Sequence, residues 1–148
     1  MGKRSPFAGY IRQRGSSNPS GAGRTGGTPG TFKTFVTVAF DPTVAAAGTG
    51  VYLPAGAIPL GVTTLGGATG GAAPTVDLQL AGGTAAGLAN ELDADTASAV
   101  EVQTGADLGV ALTADTEIEA GVGTSAATGG TTTALVSYII ADDGALND

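Results

Sequence analysis

Six carboxylates stand in two alternating trios, Glu91, Asp93 and Asp95, then Asp115, Glu117 and Glu119. Alternate residues of a strand share a face, so each trio predicts a small acidic stripe. Three uses for such a stripe stand open, in this order. It is a solvated face that keeps the chain soluble, a dock for the basic arm of another subunit, or a hard-cation site of clustered carboxylate oxygens. Asp93 and Asp95 begin like a calcium-binding EF-hand loop, but its glycine and closing glutamate are missing, so no metal and no other cofactor is expected. Paired carboxylates also hydrolyse glycosidic bonds, usually in a cleft that holds the sugar. A chain with no Trp and three Tyr is poorly supplied with aromatic platforms for that work.

Other chemistry fares no better. Histidine and cysteine are both absent. That removes the usual general base, the commonest transition-metal ligand and every thiolate site. Ser and Thr nucleophiles would lack an activating base. Lys3 and Lys33 lie in or beside a polar arm, away from the burial that would depress a lysine pKa. The chain is therefore not expected to be an enzyme. Gly21-Ala22-Gly23-Arg24-Thr25-Gly26 has the G-x-G-x-x-G spacing of dinucleotide-binding turns. That fingerprint works between a strand and a helix, and here it follows Arg14–Pro19 with no helical pattern after it. It reads as a glycine-rich linker. No apolar run approaches membrane-spanning length, and Pro6 stands where a myristoylation motif needs Ser or Thr, so no membrane partner is expected.

Charge is the most informative quantity. All six cations (Lys3, Arg4, Arg12, Arg14, Arg24 and Lys33) lie in residues 1–33, and all thirteen carboxylates lie from Asp41 onward. A basic leader is joined to an acidic body, which points to a tail with its own electrostatic partner. Residues 1–31 read as an extended arm punctuated by Pro6, Pro19, Pro29 and eight glycines. Alone, such a segment buries too little apolar surface to offset its ordering entropy. The arm's candidate contact residues are Lys3, Arg4, Phe7, Tyr10, Arg12, Arg14 and Arg24, with Phe7 and Tyr10 as anchors. Nucleic acid is a weaker partner than an acidic protein surface, because the body would repel a polyanion.

The elements that must carry these residues follow from the body, residues 32–148. Phe32–Phe40 is rich in aromatic and β-branched residues and stops at Asp41-Pro42, which predicts a strand. Further strands are expected at Gly50–Leu53, Ile58–Leu65, Thr75–Leu80, Ala97–Gln103, Leu108–Leu112, Thr116–Val122 and Thr132–Ala141. Turns are expected at Pro54-Ala55-Gly56, Gly66–Gly71 and Gly129-Gly130, and a short helical turn within Thr84–Leu92. About eight short strands with glycine-rich turns predict an all-β fold, a β-sandwich of jelly-roll type with an extended N-terminal arm. The apolar content is mostly Ala and Val, so a thin two-layer core is expected.

Three stretches of the body resemble small virion proteins of tailed phages. They are Gly50–Val62, the glycine-rich Gly66–Leu78, and the Thr/Val-rich ending Gly129–Asp142. The resemblance covers about half of the chain, rests on loop style and composition, and includes no catalytic signature. It implies a capsid decoration, or cement, subunit on the capsid surface of the virion. Such a subunit is commonly a homotrimer and bridges and stabilises major capsid proteins. The long basic arm departs from a simple decoration protein, and suits equally a spike, head-fibre or tail component involved in host attachment. For attachment, Tyr52 and the loop Gly66–Pro74 are the candidates.

Overall fold

A computed structural model describes residues 33–98 and 100–140. The arm expected at 1–31, with all seven of its candidate contact residues, lies outside the described residues, as do Phe32 and Ala141. The described chain is all-β. Its strands are β1 (Thr34–Phe40), β2 (Ala47–Leu53), β3 (Ala57–Thr69), β4 (Thr75–Leu80), β5 (Ala89–Asp93), β6 (Thr116–Val122) and β7 (Gly129–Ile140). They form a three-stranded sheet ordered β1-β7-β3 and a four-stranded sheet ordered β2-β6-β4-β5.

The pairings nest. β1 runs antiparallel to β7, β2 to β6, and β4 to β5. β3 lies beside β7, and residues 98 and 100–112 contribute scattered backbone bonds to it. Ser98 N–H donates to Thr64 O, Val62 and Val102 exchange both backbone bonds, Gly109 N–H donates to Pro59 O, and Leu112 N–H donates to Ala57 O. The strands expected at Ala97–Gln103 and Leu108–Leu112 do not form: residues 106–109 are a turn, and among the described residues of this stretch only Val102 pairs as a strand would, in its bridge to Val62, because the backbone meets β3 at scattered points rather than in continuous register. Three nested antiparallel pairs, with β3 bonded beside β7, fold into two sheets and make the expected β-sandwich. An edge segment tolerates such raggedness, because no further strand reads its outer hydrogen-bonding groups.

Strand alternation builds the core. In β4, Val76, Leu78 and Leu80 point inward while Thr75, Asp77 and Gln79 are half-buried on the other face. Val38, Leu53, Val62, Leu88, Ile118 and Val136 complete the fully buried layer, with small Ala57, Ala89 and Ala134 between them. The core is thin, as expected, but Leu contributes as much as Val. Three buried polar side chains have partners, as buried hydroxyls must. Thr64 Oγ1 bonds Ser98 Oγ at 2.8 Å, Thr132 Oγ1 donates to Ala94 O at 3.2 Å, and Ser137 Oγ donates to Glu101.

Three expected turns are corrected. Gly129-Gly130 is not a turn but the start of β7. Thr84–Leu92 holds no helical turn, because its second half is β5. Gly66–Thr69 is not a turn but the end of β3. Its glycines are there for space: a Cβ on Gly67 (φ +122°) would lie 2.1 Å from Thr131 O. The expected turn at Pro54-Ala55-Gly56 is present, with Ala57 N–H donating to Pro54 O and Gly56 at φ +84°.

Candidate functional site

The outer face of the four-stranded sheet is acidic. Glu117 and Glu119 share a face of β6, and Asp77 belongs to the same surface on β4. Glu119 lies opposite Gly48 of β2 and Gln79 of β4, and Glu117 lies opposite Tyr52, which is 55% exposed. The carboxylates are tied to the protein's own donors. Glu117 Oε1 accepts from Gly50 N–H at 2.8 Å, Glu119 Oε2 from Gln79 Nε2 at 2.8 Å, and Asp77 Oδ1 from Glu91 N–H at 2.7 Å.

Glu91 has the most partners. The Thr124 hydroxyl and N–H donate to its Oε1, and the Thr75 hydroxyl donates to its Oε2. The Thr124 hydroxyl, ahead of its N–H and Thr75, holds this carboxyl below the usual glutamate range against a smaller opposing effect of burial. Glu91 sits at φ +56°, where the β4–β5 register slips.

The two trios therefore fare differently. Glu117 and Glu119 alternate on one face, as expected. Asp115 precedes β6 and accepts from Ala55 N–H at 2.9 Å. Asp93 closes β5 and accepts from Asp95 N–H and Thr96 N–H. Asp95 lies past the strand and accepts from the Thr96 hydroxyl. Turn geometry, not a shared strand face, sets these last three. Among the described residues, no three acidic side chains are arranged to hold a metal ion.

The outer face of the three-stranded sheet carries a different device that sequence reading missed. Glu101, next to the bridge residue Val102, extends over Gly61 of β3 to the Ser137 hydroxyl of β7 and to the Lys33 ammonium just before β1. A Cβ on Gly61 would lie 2.7 Å from Glu101 Cγ, so only glycine clears this path. Burial alone would raise the Glu101 pKa, but hydrogen bonds from Lys33, Ser137 and Gln103 and the Lys33 charge together hold it below the usual range. Lys33 also stands 5.8 Å from the centroid of the exposed Phe35 ring. Lys33, counted by sequence with the basic leader, is thus clasped to the body. Across 68 residues of separation no local signal announces the pair.

A notch of about 260 Å³ opens at the end of the sandwich where β4 closes and β6 begins. Leu80, Val110, Leu112, Asp107 and Thr116 are among the residues lining it. No helix among the described residues is long and apolar enough to cross a membrane. Of the loop Gly66–Pro74 considered for attachment, only residues 70–74 lie outside strands.

No family model and no curated protein matches the chain. Among solved structures, the chain is similar to one described as "Cyanophage Pam1 capsid asymmetric unit". The likeness has a TM-score of 0.54 at 20% identity, and it covers 83% of this chain and 95% of that one. At that identity the shared property is the fold.

Proposed function

We propose that the protein is a structural subunit of a virus particle, a decoration or cement subunit on the capsid surface of a tailed phage. It bridges neighbouring major capsid proteins and opposes their separation. The observation that carries this reading is the fold likeness spanning 95% of a chain from a cyanophage capsid asymmetric unit. The charge division of the chain supports it. The arm residues Lys3, Arg4, Arg12, Arg14 and Arg24 carry five cations, and the body carries thirteen carboxylates against one cation, Lys33, which Glu101 already holds. In this reading the arm gains order by gripping a neighbour, with Phe7 and Tyr10 buried and the arginines on acidic patches. Tethering arm and body makes the second contact effectively intramolecular. The carboxylates Glu91, Asp93, Asp95, Asp115, Glu117 and Glu119, on the four-stranded sheet and at its turns, serve as the complementary dock. A homotrimer would cover exposed strand edges.

Co-sedimentation with empty heads of the encoding phage tests the proposal. The full chain is expected to load to saturation. A chain lacking residues 1–31 is expected to stay folded by circular dichroism and fail to load. Arg12→Glu with Arg14→Glu should weaken loading and lower its salt sensitivity. No loading by the full chain overturns the proposal, and normal loading by the truncated chain removes the arm from it.

A further inference from the structure

The notch lies at the end of the sandwich where β2 and β4 end and β6 begins, as the antiparallel registers require. β3 begins there too, its Ala57 O accepting from the N–H of the lining residue Leu112. Its apolar lining includes Leu80 at the end of β4, together with Val110 and Leu112, and Val110 is 59% exposed. Asp107 edges it, and Asp115 and Glu117 flank its lining residue Thr116 in sequence. A volume of about 260 Å³ falls below the range typical of sites that enclose drug-sized ligands and suits a single aromatic ring.

We infer that this notch receives the segment Tyr10–Arg14 from the arm of a second copy of the chain. In an extended segment alternate residues share a side, so Tyr10, Arg12 and Arg14 point the same way. Tyr10 enters the notch against Leu80, Val110 and Leu112, with its hydroxyl toward Asp107. Arg12 and Arg14 then lie toward the carboxylates of Asp115 and Glu117, the sequence neighbours of the lining residue Thr116. Charge complementarity favours this occupant, because the body has no cation beyond Lys33, and Glu101 already holds it. Length permits it: the 18 residues between Arg14 and Lys33 reach about 60 Å when extended. The inference rests on the assembly reading, since copies held side by side present their arms to one another at high local concentration.

Sedimentation velocity on the full chain over a range of micromolar concentrations tests it, with capsid loading measured separately. The wild type is expected to self-associate. Tyr10→Ala, and independently Val110→Arg on the exposed rim, should each weaken association by about tenfold or more. Circular dichroism of both variants should match that of the wild type. A wild type that stays monomeric while loading normally onto heads overturns the inference and leaves the proposed function standing. Association indifferent to both substitutions overturns it as well.

Discussion

The two outer faces of the sandwich use carboxylates in opposite ways. On the four-stranded sheet, Asp77, Glu91, Glu117 and Glu119 bond to neutral donors of their own sheet and loops, and no cation among the described residues answers them. On the three-stranded sheet a single carboxylate, Glu101, crosses a strand through a gap left by Gly61 and ends on a hydroxyl and an ammonium. The difference is one of partners. Glu101 has a side chain only 16% exposed, and its charge is met by an ammonium. The carboxylates of the acidic face accept from neutral donors, so their negative charge stays available for long-range attraction.

This contrast can be broken at its glycines. Gly61→Val drives a side chain into Glu101 and the Val102 carbonyl, both at 2.7 Å from a Cβ, and backbone cannot swing aside. A loss of about 2–4 kcal/mol in urea unfolding is expected. Glu101→Ala removes the clasp while leaving the space open. It should lose about 1–2 kcal/mol, mostly from the Ser137 hydroxyl, since the Lys33 ammonium is 41% exposed and its pairing is screened. Loss of under half of that would assign the clasp to the surface category it is here distinguished from.

Acid sharpens the comparison. The folded-state pKa of Glu101 is depressed below its ordinary value of 4.5. Its stabilisation is therefore complete above that value and fades as pH falls through the lower folded one. Glu91 and Asp41 shift in the same direction. Unfolding midpoints should be flat from about pH 8 to pH 5 and fall below about pH 4.5. The gap between wild type and Glu101→Ala should narrow over that acid range, and a constant gap down to pH 3 would rule out an ionic clasp. The smallest effect is expected on the acidic face. The nearest atoms to a Cβ at Gly48→Ala belong to the Glu117 carboxylate, the end of a flexible side chain, and Glu117→Gln with Glu119→Gln removes charge without opening the core. Each should stay within about 0.5 kcal/mol of wild type, while the double glutamine variant lowers the salt sensitivity of self-association.

Where side chains alternate cleanly, the strands were legible. Thr75–Leu80 and Thr116–Val122 match the expected strands residue for residue, because β-branched and large apolar side chains occupy every second position. β5 was not legible. Ala89-Asn90-Glu91-Leu92-Asp93 lacks β-branched residues, and the positive φ at Glu91 breaks its alternation. Gly66–Thr69 looked like a loop because glycine usually marks one, whereas here it admits a neighbouring backbone. In the acidic stripes, the β6 pair followed from periodicity. The places of Asp93, Asp95 and Asp115 depended on where strands stop.

The sequence by itself determined the all-β class, the turn at Pro54–Gly56 and the separation of a cationic leader from an anionic body, since composition and two-residue periodicity are local quantities. Only the tertiary structure decided that residues 98, 102, 109 and 112 bond to β3, that Gly61 opens a path for Glu101, and that Lys33 belongs to the body. Those outcomes depend on which distant backbones come into register, and strand pairing across tens of residues leaves no trace in the spacing of either partner alone.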